Sequence, residues 1–146
     1  MPNPGSIPAT GRNLGRFLAS VGAAACLLIV LRIWQVIGAY QEMWPLPALY
    51  FLEMVAVSFL GLLAGLRGGS SGGLLLWTAV GVLMGFSFMA MFSVGIFFVP
   101  IALIFGVVAL LVDAQEPRNL VLHLGLGVIA AVAQAGLILA VAGIVF

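Results

Sequence analysis

Residues 74–112, thirty-nine in a row, carry no charged side chain. As a single helix rising 1.5 Å per residue they would reach about 58 Å. The hydrocarbon core of a bilayer is only about 30 Å thick, so in a membrane this block must cross twice. The reversal is expected at "FSVG", Phe92 to Gly95, with Pro100 near the start of the following helix. Glycine frees the backbone for a turn, and proline is tolerated in a first helical turn.

Three shorter apolar blocks, about 17–39, 46–66 and 120–145, each suit one crossing. The expected fold is therefore all-α, a polytopic membrane bundle of five helices at about 17–39, 46–66, 74–92, 96–112 and 120–145. Composition requires a membrane. Of 146 residues, 64% are hydrophobic and 6% charged, too oily for a domain whose exterior must face water. The stretch "MPNPGSIPATGRN", residues 1–13, is rich in Pro, Gly and Ser and reads as a disordered cytoplasmic tail. Residues 14–146 read as one transmembrane domain. Arg12 and Arg16 before "FLASVGAAAC" resemble a secretory signal, but the apolar run continues past Cys26 into "LLIVL", as a retained first span would.

The arginines give an independent count. With five spans, Arg12, Arg16, Arg67 and Arg118 fall on one side, while the other side receives Glu42 and no arginine. Positive residues mark the cytoplasmic face, so the N-terminus is expected inside and Phe146 outside a bacterial plasma membrane. Four spans would move Arg118 across and spoil the segregation.

One arginine departs from that pattern. Arg32 lies within the first span, seven residues before its expected end, and Glu53 lies seven residues into the second. Helices joined by the short "YQEMWP" loop are antiparallel neighbours, which places both charges about 10 Å below the outer boundary. An unpaired charge there costs at least about 2.5–3.5 kcal/mol, so a structural ion pair between Arg32 and Glu53 is the first expectation. Two alternatives stand beside it. Arg32 could snorkel to the headgroups, near an aromatic belt of Trp34, Tyr40, Trp44 and Tyr50, or it could belong to a polar route.

Small residues supply expected helix-packing faces: Gly61 and Gly65 in the second span, Gly81 and Gly85 in the third, and Gly127, Ala130 and Ala131 beside Gln134 in the last. The four-residue spacing lets backbones approach closely, within the chain or against another protein. The Met84, Met89, Met91, Phe86, Phe88 and Phe92 group reads as gap-filling. "GLRGGSSGG", residues 65–73, reads as a flexible linker.

Catalytic patterns are nearly absent. HExxH, a Walker loop and suitably paired carboxylates are missing from the sequence, and GxSxG occurs only inside the glycine-rich 65–73 linker, as Gly68–Gly72 and Gly69–Gly73,. His123, three residues into the last span, reads as an easily accommodated residue near the inner surface. Asp113, Glu116 and Arg118 read as a solvated connection, with Pro117 and Asn119 starting the next helix. No metal or cofactor is expected. The lone Cys26 excludes an intrachain disulfide, and a formal charge of +1 with no lysine disfavours nucleic acid,. Expected partners are membrane lipids, together with membrane proteins or further copies of the chain. The functional expectation is a non-catalytic accessory subunit. The alternative is a small oligomeric transporter or channel with a polar route near Arg32 and Glu53.

Overall fold

The computed structural model describes residues 9–37, 46–91, 93–114 and 117–145. It is an all-α bundle of five helices, each long and apolar enough to cross a membrane. They are α1 (Ala9–Ile37), α2 (Leu46–Arg67), α3 (Gly69–Met89), α4 (Val99–Asp113) and α5 (Leu120–Val145). A short 3₁₀ helix, Gly95–Phe98, leads into α4, and another, Pro117–Asn119, leads into α5. The chain is thus a multi-pass membrane protein.

α1, α2, α3 and α4 form a closed ring, in which α1 touches α2 and α4, and α3 touches the same two from the opposite corner. The ring's core is apolar and well filled, with Cys26, Met54, Leu76, Leu83, Phe98, Ile101, Phe105 and Val108 almost fully enclosed. Phe105 occupies the middle. Its ring fits because α2 presents Gly61 there, where a β-carbon would lie 2.9 Å from the aromatic edge. One turn on, Gly65 gives the same relief to Ala19 of α1.

α5 stands outside the ring and packs principally against α3. The contact is made by backbone. A β-carbon on Gly81 would collide with the carbonyl of Gly127, and one on Gly85 with the carbonyl of Ala131 and the stem of Gln134. Gly127 in turn lies under the carbonyl of Trp77, 2.9 Å from where its own β-carbon would be. The small residues of the third and fifth spans therefore meet one another within the chain.

Two boundaries differ from the sequence reading. α1 begins at Ala9, so residues 9–13 of the expected tail are helical, and the rest of that tail lies outside the described residues. The glycine-rich 65–73 stretch is not a flexible linker, since only Gly68 lies outside a helix. Gly68 and Gly69 have φ of 68° and 70°, a left-handed region that glycine enters without penalty, and this pair reverses the chain. Gly72 and Gly73 belong to α3, where they let Ala64 of α2 and the side chains of Asp113 and His123 approach. Composition suggested looseness, but close approach is the reason for the glycines. The second turn is held by Ser93 and Gly95 amides donating to the Ala90 carbonyl at 3.0 and 2.8 Å. Pro100 follows in the first turn of α4, and Phe92 lies outside the described residues.

Packing on this scale predicts a matched pair of outcomes. Gly81→Ala should destabilise the protein by about 1–3 kcal/mol through overpacking. Gly125→Ala, where no atom lies within 4 Å of the new carbon, should stabilise α5 by up to about 1 kcal/mol. Unfolding in mild detergent titrated with SDS measures both, and equal effects would refute the close α3–α5 contact.

Candidate functional site

Two groups of polar side chains at membrane depth tie α5 back to the ring. The first begins with Gly73 and Trp77, one turn apart on the same face of α3. Helical side chains lean toward the N-terminus, so the Trp77 indole reaches back over Gly73. There it meets Asp113, the last residue of α4, and His123, in the first turns of α5. The indole Nε1–H donates to Asp113 Oδ2 at 2.7 Å. His123 Nδ1 lies 2.8 Å from Asp113 Oδ1. To an ionised carboxylate, which only accepts, the imidazole would donate from a protonated Nδ1,. Asp113 is 3% exposed and His123 2%. A β-carbon on Gly73 would collide with the carboxylate, so glycine there is a condition of the whole arrangement.

Asp113 is unfavourably placed with respect to its own helix. A carboxylate at a helix C-terminus faces the negative end of the macrodipole, and burial removes its water. Two donors on its two oxygens offset both effects. Just outside, Asn119 Nδ2 donates to Ser70 Oγ at 3.0 Å and joins the start of α3 to the turn before α5.

The second group lies deeper. Gln134 of α5, 5% exposed, donates from Nε2 to Glu53 Oε2 of α2 at 3.1 Å. The stem of Gln134 sits against Gly85 of α3, so this bond also crosses α3 where a side chain is missing. Each bridge therefore spans a glycine of the helix between its partners.

The expected Arg32–Glu53 pair is not formed. Among the described residues no arginine lies within ion-pair distance of a carboxylate, and Arg32 is exposed. The two helices are neighbours, as shown by Cys26 Sγ donating to the Met54 carbonyl at 3.6 Å. Azimuth separates the charges. At 100° per residue Arg32 lies about 120° round α1 from Cys26, and Glu53 about 100° round α2 from Met54. Arg32 turns toward the 3₁₀ segment that leads into α4, where it borders an apolar groove of about 410 Å³ with Leu28, Ile33, Val36, Val94 and Phe97. Glu53 turns toward α5. Exposed among apolar neighbours, Arg32 has the setting of a snorkelling side chain.

His123 and Asp113 also differ from the sequence reading. Neither is solvated, and they contact each other. Glu116 lies outside the described residues. The same depth argument applied to Arg32 and Glu53 would have found this pair, since both residues flank one short polar turn. Of the Met/Phe group, Phe86 is buried edge-on against Phe98 at 5.4 Å between centroids, whereas Met84, Phe88 and Met91 are exposed. Trp34 is exposed near the end of α1, and Tyr40 and Trp44 lie outside the described residues. No group of three or more His, Cys, Asp or Glu side chains converges among the described residues.

Comparison with known proteins returns no match: no family model fits the sequence, and no curated protein or solved structure matches it. Function must be argued from these two bridges and from the surfaces around them.

The Trp77–Asp113–His123 arrangement predicts strong coupling. His123→Leu alone should cost about 3–5 kcal/mol by stranding a buried carboxylate. Asp113→Ala together with His123→Leu should cost less than the sum of the single changes, with a coupling energy of about 0.5–3 kcal/mol. A double-mutant cycle measured by unfolding in detergent tests this, and strictly additive losses would show that the pair does not act as a unit.

Proposed function

We propose that this chain is a small, non-catalytic accessory subunit of a bacterial plasma membrane that packs against membrane-protein partners. One observation carries the reading: the two described carboxylates at membrane depth, Asp113 and Glu53, are spent on internal bridges that clamp α5 to the ring. Asp113 is held by Trp77 and His123, and Glu53 by Gln134. Asp113 and His123 are almost fully enclosed, which favours a structural role for the pair. The clamp leaves α5 as an arm whose outer side shows Leu122, Ile129, Val132, Leu137 and Leu139. Such a surface suits lipid or the apolar helix of a partner.

The orientation proposed is N-terminus cytoplasmic and C-terminus outside. Arg12, Arg16 and Arg67 line one recess and so share one end of the bundle, which the positive-inside rule assigns to the cytoplasm.

A second reading, a small oligomeric transporter, draws on Glu53. It is a half-buried carboxylate at membrane depth whose bonding partner, Gln134, is a neutral amide, and intramembrane carboxylates of this kind carry protons in transporters.

Mild-detergent purification with mass measurement of the eluted particle discriminates the readings. The subunit reading expects a stoichiometric second protein, lost when bulky residues replace Ile129 and Val132. A homogeneous homo-oligomer that moves solute into liposomes, with flux abolished by Glu53→Gln and folding unchanged, would replace it by the transporter. Reporter fusions at the two ends should be active in opposite compartments, and the same compartment for both would overturn the topology.

A further inference from the structure

At the arginine-bearing end, the N-terminal turns of α1, the α2–α3 reversal and the end of α4 enclose a recess of about 210 Å³. Arg12, Arg16 and Arg67 line it, together with Gly68 and Gly69 of the reversal. Arg12 and Arg16 are one turn apart on α1 and so project on the same face, and Arg67 closes the recess from the last turn of α2. Among the described residues no carboxylate lines it. Among the described residues none of the three guanidinium groups is ion-paired. Three like charges around one small hollow repel one another, and an anion between them would relieve that repulsion.

The backbone adds donors. Gly68 precedes α3 without any side-chain cap, so first-turn amides of α3 are unclaimed by a side chain at the rim. Leu66, Leu111 and Val112 share the lining with the charges. Cations beside apolar side chains are what a membrane-boundary phosphate meets, and basic pockets between helices on this side suit anionic headgroups. Guanidinium groups also match phosphate oxygens with paired N–H donors.

We propose that this recess binds a phosphate group, supplied by the headgroup of an anionic phospholipid. The inference is independent of the subunit reading, because it needs only the geometry of the ring.

The test uses the full chain in detergent, with lipid titrated in and bound adducts counted by native mass spectrometry. Phosphatidylglycerol should bind the unaltered protein more tightly than phosphatidylcholine. Arg12→Gln, Arg16→Gln and Arg67→Gln should each weaken it about fivefold, with their effects compounding. Arg118→Gln is the control, since Arg118 is exposed and does not line the recess. The three altered arginines are exposed, so folding should persist, as checked by an unchanged elution volume. Inorganic phosphate is the second arm. If it displaces nothing at millimolar concentration the lipid is the source, whereas saturable binding of free phosphate with no lipid preference would overturn the lipid assignment. Equal losses for Arg118→Gln and the recess variants would overturn the site itself, by showing that only net charge matters.

Discussion

Hydrocarbon does not push apolar helices together, because lipid tails solvate a leucine as well as another helix does. Association inside the membrane must come from fit, and here the fit is made by α3. Gly72 lies against the Ala64 carbonyl of α2, Gly73 under the side chains of Asp113 and His123, and Gly81 and Gly85 against the backbone of α5. One helix thereby gains three close neighbours on different sides. Had α3 carried leucines at these positions, it would be as oily but could not hold this arrangement. The ring and its outlying fifth helix both follow from where α3 lacks side chains.

The polar residues then follow from the glycines. A carboxylate in the membrane needs donors, and donors on non-adjacent helices can reach it only where the helix between them is thin. Asp113 and His123 meet over Gly73, and Gln134 reaches Glu53 past Gly85. The two glycines are twelve residues apart, about 120° round α3. The bridges leave one face of α5, His123 and Gln134 being about 20° apart around it, and pass α3 on different sides, one toward α4 and the other toward α2.

The fold class was legible in the sequence, since five crossings follow from block length and from the segregation of Arg12, Arg16, Arg67 and Arg118. Depth was legible too, because helical rise converts sequence position into height. Azimuth was not. Arg32 and Glu53 share a depth but turn away from each other, and a helix that is apolar on every side offers no amphipathic stripe to orient it. The glycine-rich 65–73 stretch misled for a related reason, as glycine marks both loose loops and tight contacts. The Trp77–Asp113–His123 group had a signal that could have been used: an Asp and a His across one short turn, and a Gly four residues before a Trp on a facing helix.

A contact made of small residues is tight but weakly specific along its axis. Gly127, Ala130 and Ala131 would still set small residues against α3 if α5 slid by one helical turn, about 5.4 Å, although Ala131 in the place of Gly127 would press on the Trp77 carbonyl. The bridges remove that freedom. His123 and Gln134 are eleven residues apart, about 16 Å along α5, and each engages a fixed carboxylate. A one-turn slip would break both bonds together and strand Asp113 and Glu53 without these donors at membrane depth. Polar contacts in membranes add only about 0.6 kcal/mol each on average, but slipping strands charges that cost several times more. The asymmetry fixes the register: glycine determines how near α5 comes, and the two carboxylates determine where along α3 it stops.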